Sequence, residues 1–110
     1  MDRWETQLRK GVVELAVLAL IARGETYGYR IVEGLRTLEG LDLTESTVYP
    51  ALTRLAREGV LAVRAEKSPA GPTRRYYRLT AAGERRFRQL AESWRTVSRS
   101  LSTLLEGANE

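Results

Sequence analysis

DLTESTVYPALTRLAREGVL, Asp42 to Leu61, together with GPTRRYYRLT, Gly71 to Thr80, is the stretch whose reading decides the fold. Val48, Leu52 and Leu55, with Ala51 beside them, recur on one face at helical spacing, while Ser46, Thr47, Tyr49, Thr53, Arg54 and Arg57 project elsewhere. The apolar face belongs to a core, so the polar one is left free for a partner. Beyond Gly59 the period shortens from helical to alternating, and Val60 to Glu66 and Arg74 to Leu79 read as strands around a Ser-Pro-Ala-Gly-Pro loop. A helix running into a two-stranded basic ribbon predicts a winged helix-turn-helix, mainly α with a small β-hairpin wing and so of the α+β class. The polar helix residues are short hydrogen-bonding types that reach base edges, and the ribbon carries arginines suited to phosphates.

Upstream, the apolar pattern predicts a first helix over about Thr6 to Ala22, apolar on nearly every side beyond Gly11 except at Glu14. A buried strand is the competing assignment, and the length of the run and its Leu and Ala content favour the helix. Thr26 is placed as the cap of a second helix, Tyr27 to about Leu38, with Ile31, Val32, Leu35 and Leu38 on its apolar side. Thr44 is placed as the cap of the third. Pro50, six residues beyond Thr44, removes a helical hydrogen bond and costs about 3 kcal/mol in a regular interior. Either the regular helix begins nearer Ser46 or Thr47, which makes Pro50 a first-turn residue, or it is kinked where Tyr49 leaves it.

The last helix is predicted from about Thr80 to Leu105. Along it Phe87, Leu90, Trp94, Val97, Leu101 and Leu104 recur at intervals of 3, 4, 3, 4 and 3, the spacing of a coiled-coil seam. At about 1.5 Å per residue this helix is about 40 Å long, more than a small winged-helix core covers. The seam therefore predicts a homodimer, with a DNA-binding unit over residues 1–79 and a dimerisation helix over residues 80–110.

A chain of 110 residues buries only a modest core by itself. With no cysteine and no histidine it has no disulfide, thiolate metal site or imidazole-dependent triad, and no carboxylate pair or phosphate loop stands out. No catalytic residue, metal or cofactor is expected. The longest apolar run, Leu15 to Ala22, is eight residues against the roughly 20 of a bilayer span, and the first ten residues carry no signal-peptide pattern. A cytoplasmic location away from membranes is expected. The formal net charge is +4, unevenly placed: from Arg64 to Arg88 eight basic residues stand against two acidic ones, an excess of six that leaves −2 elsewhere. Such a basic pole is the footprint of a protein that binds a polyanion, and double-stranded DNA is the partner expected here. Its plainer alternative is a solvated charged surface.

Three pieces in order, LRKGVVELAVLALIARGETYGYRI at Leu8 to Ile31, STVYPALTRLAREG at Ser46 to Gly59 and GPTRRYYRLTAAG at Gly71 to Gly83, resemble the PadR family of bacterial transcriptional regulators. The resemblance covers nearly the whole chain and implies the compact subgroup with a single C-terminal helix. It also implies a homodimeric, ligand-responsive repressor. AESWRTVSRSL, Ala91 to Leu101, is similar to the segment with which multidrug-responsive members hold flat aromatic compounds on a tryptophan. That makes Trp94 a candidate for a small aromatic or cationic effector, and Trp4 a candidate to close its pocket. The alternatives are a packed interface knob at Trp94 and an anchor of the first helix at Trp4. The chain departs from the family at Ala65, where an aromatic is common on the first wing strand.

The candidate DNA-binding residues are thus Ser46, Thr47, Tyr49, Thr53 and Arg54 on the third helix, with Lys67, Arg74 and Arg75 on the wing. Capping and solvent-facing polarity are what the same residues would supply in a domain that binds no DNA. Alternation turns Tyr77 and Leu79 toward the core and Arg74, Tyr76 and Arg78 away from it, which makes Tyr76 a candidate for an exposed role. A twofold dimer predicts a pseudo-palindromic operator with half-sites about one helical turn apart. A protein-interaction winged helix that never touches DNA is the alternative from another class, and the basic pole argues against it.

Overall fold

The computed structural model describes residues 3–41 and 43–108, with side chains described from residue 12 onward. Its elements run α1 (Arg3–Ile21), β1 (Thr26–Tyr27), α2 (Gly28–Arg36), α3 (Glu45–Arg57), β2 (Leu61–Glu66), β3 (Arg74–Leu79) and α4 (Ala81–Ala108). Helices α1 to α3 enclose the core, and the antiparallel sheet, in the order β1-β3-β2, closes it on one side. This is a winged helix-turn-helix of the α+β class.

The core is built from the residues whose spacing repeats every three to four positions. Val17, Leu18 and Ile21 of α1 meet Ile31, Val32 and Leu35 of α2 and Val48, Leu52 and Leu55 of α3, all buried. Burying each such side chain contributes roughly 1.5–3 kcal/mol. Tyr77 closes the core from the sheet, as its alternation predicts. No helix among the described residues is long and apolar enough to cross a membrane.

The second helix begins one residue later and ends two residues earlier than its sequence suggests. Thr26 is not its cap: Thr26 and Tyr27 pair with Tyr77 and Tyr76 as a third strand, so a non-local backbone ladder takes the residues that local capping would have used. Tyr27 stands at the N-cap position with extended dihedrals, φ −109° and ψ 164°, and makes no capping bond through its side chain. At the other end Thr37 donates its hydroxyl to the Gly34 carbonyl at 2.9 Å, and Leu38, expected inward, is exposed.

Thr44 does occupy the N-cap position of α3, with φ −109° and ψ 172°, and its carbonyl accepts the N–H groups of Thr47 and Val48 at 3.0 and 2.9 Å. Its hydroxyl, however, bonds that of Ser46 at 2.9 Å instead of a backbone N–H. Because α3 starts at Glu45, Pro50 is its sixth residue, which corrects the first-turn placement. The ring removes the donor that the Ser46 carbonyl would otherwise receive one turn later.

Thr80 starts α4. Its hydroxyl accepts the Gly83 N–H at 3.0 Å and donates to the Gly59 carbonyl at 2.7 Å, so one side chain both caps the helix and ties it to the end of α3. Gly83 is buried, and a Cβ there would overlap the Val60 carbonyl oxygen. Phe87 and Leu90, expected in the dimer seam, are half-buried against this chain's own core, and Ala91 is buried beside them. Trp94, Val97, Leu101 and Leu104 lie beyond the core and are 46%, 51%, 50% and 69% exposed.

Candidate nucleic-acid interface

The first half of α3 presents Ser46, Thr47 and Tyr49 on its open side. Tyr49 is 40% exposed, with one edge of its ring seated on Gly28, the first residue of α2, where a Cβ would come within 2.8 Å of Cε1. Burial raises the Tyr49 phenol above its ordinary pKa, with the Glu45 carboxylate adding to the effect. The ring is therefore neutral at physiological pH, held at its base and open at its rim. Thr53 is exposed one turn on, but its hydroxyl donates back to the Tyr49 carbonyl at 3.1 Å.

Arg54 sits differently from its neighbours. Its guanidinium donates to Glu14 at 3.1 Å and to Glu58 at 3.1 Å, while Arg86 donates to the other oxygen of Glu14 at 2.9 Å and lies 3.5 Å from Glu58. Glu14, the single polar interruption of the apolar stretch in α1, thus holds α3 and α4 together. Burial pushes its carboxyl up, but the hydrogen bonds from Arg86 and Arg54 outweigh that and hold it below the usual carboxylate value. The arrangement turns Arg54 toward the helices of its own chain.

On the wing, Lys67, Arg74 and Arg75 are all exposed. The sheet register puts Tyr27, Tyr76 and Arg64 in one row across the three strands, on the face opposite Tyr77. The Tyr27 and Tyr76 rings lie 5.4 Å apart at 60°, Arg64 covers Tyr76 at 4.5 Å, and Arg74 and Arg30 lie over Tyr27 at 4.5 and 5.6 Å. Tyr76 is consequently half-buried rather than exposed, because β1 brings a second ring alongside it. Arg64 is further fixed by Glu25, which it binds through two hydrogen bonds of 2.9 and 2.7 Å, and by Glu66 at 2.8 Å. Those bonds hold Glu25 below the usual carboxylate value and raise Arg64 further above its own. Arg30, Tyr27 and Glu25 do not stand out in the sequence, since only the pairing of β1 brings them to the wing.

The family model of the transcriptional regulator PadR-like family matches residues 17–89. The chain belongs to the PadR-like family. Among solved structures this PadR-like protein is similar to a Streptococcus transcriptional regulator, with 36% identity over 89% of this chain and 96% of that one and a TM-score of 0.77. It is also similar to a PadR-like transcriptional regulator of Bacillus cereus, with 32% identity over 90% of this chain and 96% of that one and a TM-score of 0.80. A third similarity is to Bacillus subtilis PadR in complex with operator DNA, at 28% identity over 71% of this chain and 45% of that one, with a TM-score of 0.63.

The Trp4 side chain lies outside the described residues. Trp94 lies exposed on α4 and is not among the residues that line the open depression on that helix, which are Gln89, Glu92, Ser93, Thr96 and Val97.

Proposed function

We propose that this PadR-like regulator is a homodimeric repressor that reads duplex DNA with α3 and the wing and pairs with a second copy through α4. The observation that carries this reading is the exposed apolar row Trp94, Val97, Leu101 and Leu104 on a helix whose other end is rooted in the winged-helix core. A row of that length left in water is unfavourable, and a second copy of the same helix offers a matching one. Residues 1–79 then act as the DNA-binding unit and residues 80–110 as the dimerisation helix, in the cytoplasm where promoter DNA is found. The operator complex of Bacillus subtilis PadR supports DNA as the partner. Repression, by occlusion of a promoter, rests on the family resemblance.

Ser46, Thr47 and Tyr49 enter the major groove, and Lys67, Arg74 and Arg75 take phosphates or the minor groove. Thr53 borders that surface, and Arg54 orients α3 from behind it. A planar aromatic or cationic compound bound between the paired α4 helices, against Trp94 and with Glu92 nearby, favours a different angle between subunits and releases the DNA. The test is the salt dependence of duplex binding in excess competitor DNA. Removing one phosphate-binding guanidinium, in Arg74→Ala or in Arg75→Ala, reduces the slope of log K against log salt by about 0.9. A slope unchanged in the double variant removes the wing from the interface, and an acidic protein bound in preference to any duplex would establish the protein-interaction alternative.

A further inference from the structure

We infer that Arg30 and Arg74, both held on the ring of Tyr27, form a two-guanidinium clamp for one backbone phosphate of duplex DNA. The inference rests on the DNA-binding reading above and adds to it a site that joins α2 to the wing.

Three guanidiniums lie on the Tyr27–Tyr76 pair, and their surroundings divide them. Arg64 is matched by two carboxylates, Glu25 and Glu66, at 2.7 and 2.8 Å, so its charge is spent within the chain. Among the described residues neither Arg30 nor Arg74 has a carboxylate within salt-bridge distance. Both are exposed, yet both are gathered onto one ring, at 5.6 and 4.5 Å, from elements far apart in sequence. Two uncompensated like charges repel, so an arrangement that collects them on one ring favours an anion that both can reach.

The geometry suits a phosphate. A guanidinium resting on an aromatic face keeps its N–H edge available, and that planar fork matches phosphate oxygens in bidentate fashion. Holding the two side chains on a ring beforehand also lowers the ordering cost that binding would otherwise carry. The location is consistent with the rest of the interface: Tyr27 directly precedes Gly28, on which the Tyr49 ring of α3 is seated. A phosphate there would lie beside the presented end of α3, where contacts set the register of the protein on the duplex without reading sequence. Tyr27 acts through the two arginines and is a positioning residue.

The experiment is a set of single and combined variants measured against a labelled duplex of mixed sequence across a salt series, with the fold checked by circular dichroism. Arg30→Ala combined with Arg74→Ala is expected to lower the salt slope by about 0.9, the share of the one phosphate the pair holds, and each single variant by part of that. Tyr27→Leu is expected to weaken binding about two- to fivefold, the range of an exposed cation–π interaction, while Tyr27→Phe, which keeps the aromatic face, retains wild-type affinity. In a chain already carrying Arg30→Ala and Arg74→Ala, Tyr27→Leu should change nothing further, because no guanidinium is left to position. The same loss from Tyr27→Leu in both backgrounds overturns the clamp, as does an unchanged slope in Arg30→Ala. That last variant alters only an exposed side chain, so it carries the test even where Tyr27→Leu loosens β1. A wild-type protein that binds no duplex overturns the DNA-binding reading together with the clamp, whereas wild-type binding with additive effects overturns the clamp alone.

Discussion

Replacing Glu14 with Gln keeps the shape of the side chain and removes the carboxylate that Arg54 and Arg86 share. Two charge-assisted hydrogen bonds, of 3.1 and 2.9 Å, are weakened at once. In a dry interior each would contribute about 1.5–3 kcal/mol. The Arg54 and Arg86 side chains are 46% and 37% exposed, so solvent screening brings each bond down to roughly 0.5–1 kcal/mol. Glu58 still pairs with both arginines. The expected loss is therefore about 1–2 kcal/mol at neutral pH, and about 4–8 °C in Tm for each kcal/mol. The pH dependence separates charge from packing. The folded-state pKa of Glu14 is lower than its usual 4.5, so its contribution is complete above that value and is lost as the pH falls through the folded pKa. Thermal unfolding of wild type and Glu14→Gln should differ at pH 7 and converge in strong acid, where both side chains are neutral. An equal difference at both extremes would assign the effect to packing. No difference at neutral pH would show that the cluster does not tie α1, α3 and α4 together.

Three further outcomes follow from named residues. If α4 pairs as proposed, Leu101→Glu with Leu104→Glu places like charges in the seam at a cost of several kcal/mol, and sedimentation should show a dimer for the wild type but monomers or unfolded chain for the variant. Gly83→Ala should lower stability by about 1–3 kcal/mol in chemical denaturation, because its Cβ would overlap a backbone oxygen that has no room to move, whereas Gly107→Ala, with nothing within 4 Å, should be neutral or slightly stabilising. Gly28→Ala should displace the Tyr49 ring from its seat, and gel-shift titration should show weakened operator binding with a change in stability of only about 1 kcal/mol.

Where function is carried by periodicity, the chain can be read directly. Val48, Leu52 and Leu55 turn inward and Tyr77 follows its alternation into the core, because burial enforces the periods of 3.6 and 2 wherever one face meets a packed interior. What could not be read depends on partners distant in sequence. Thr26 looks like a cap until β3 is known to pass beside it, and the half-burial of Tyr76 follows from the same two-residue strand. Glu14 interrupts an apolar run for no local reason, and its two arginines lie 40 and 72 positions away. The spacing of the α4 seam is continuous, but spacing cannot say that Phe87 and Leu90 pack on their own chain while Trp94 onward does not.

Enrichment of binding sites from a random duplex pool at physiological salt tests the central claim most directly, since the operator sequence is itself the readout. A homodimer that reads DNA through α3 and the wing selects an inverted repeat whose half-site centres lie about one helical turn, or a multiple of it, apart. A pool that remains random through successive rounds, with the protein folded and retained, would contradict it.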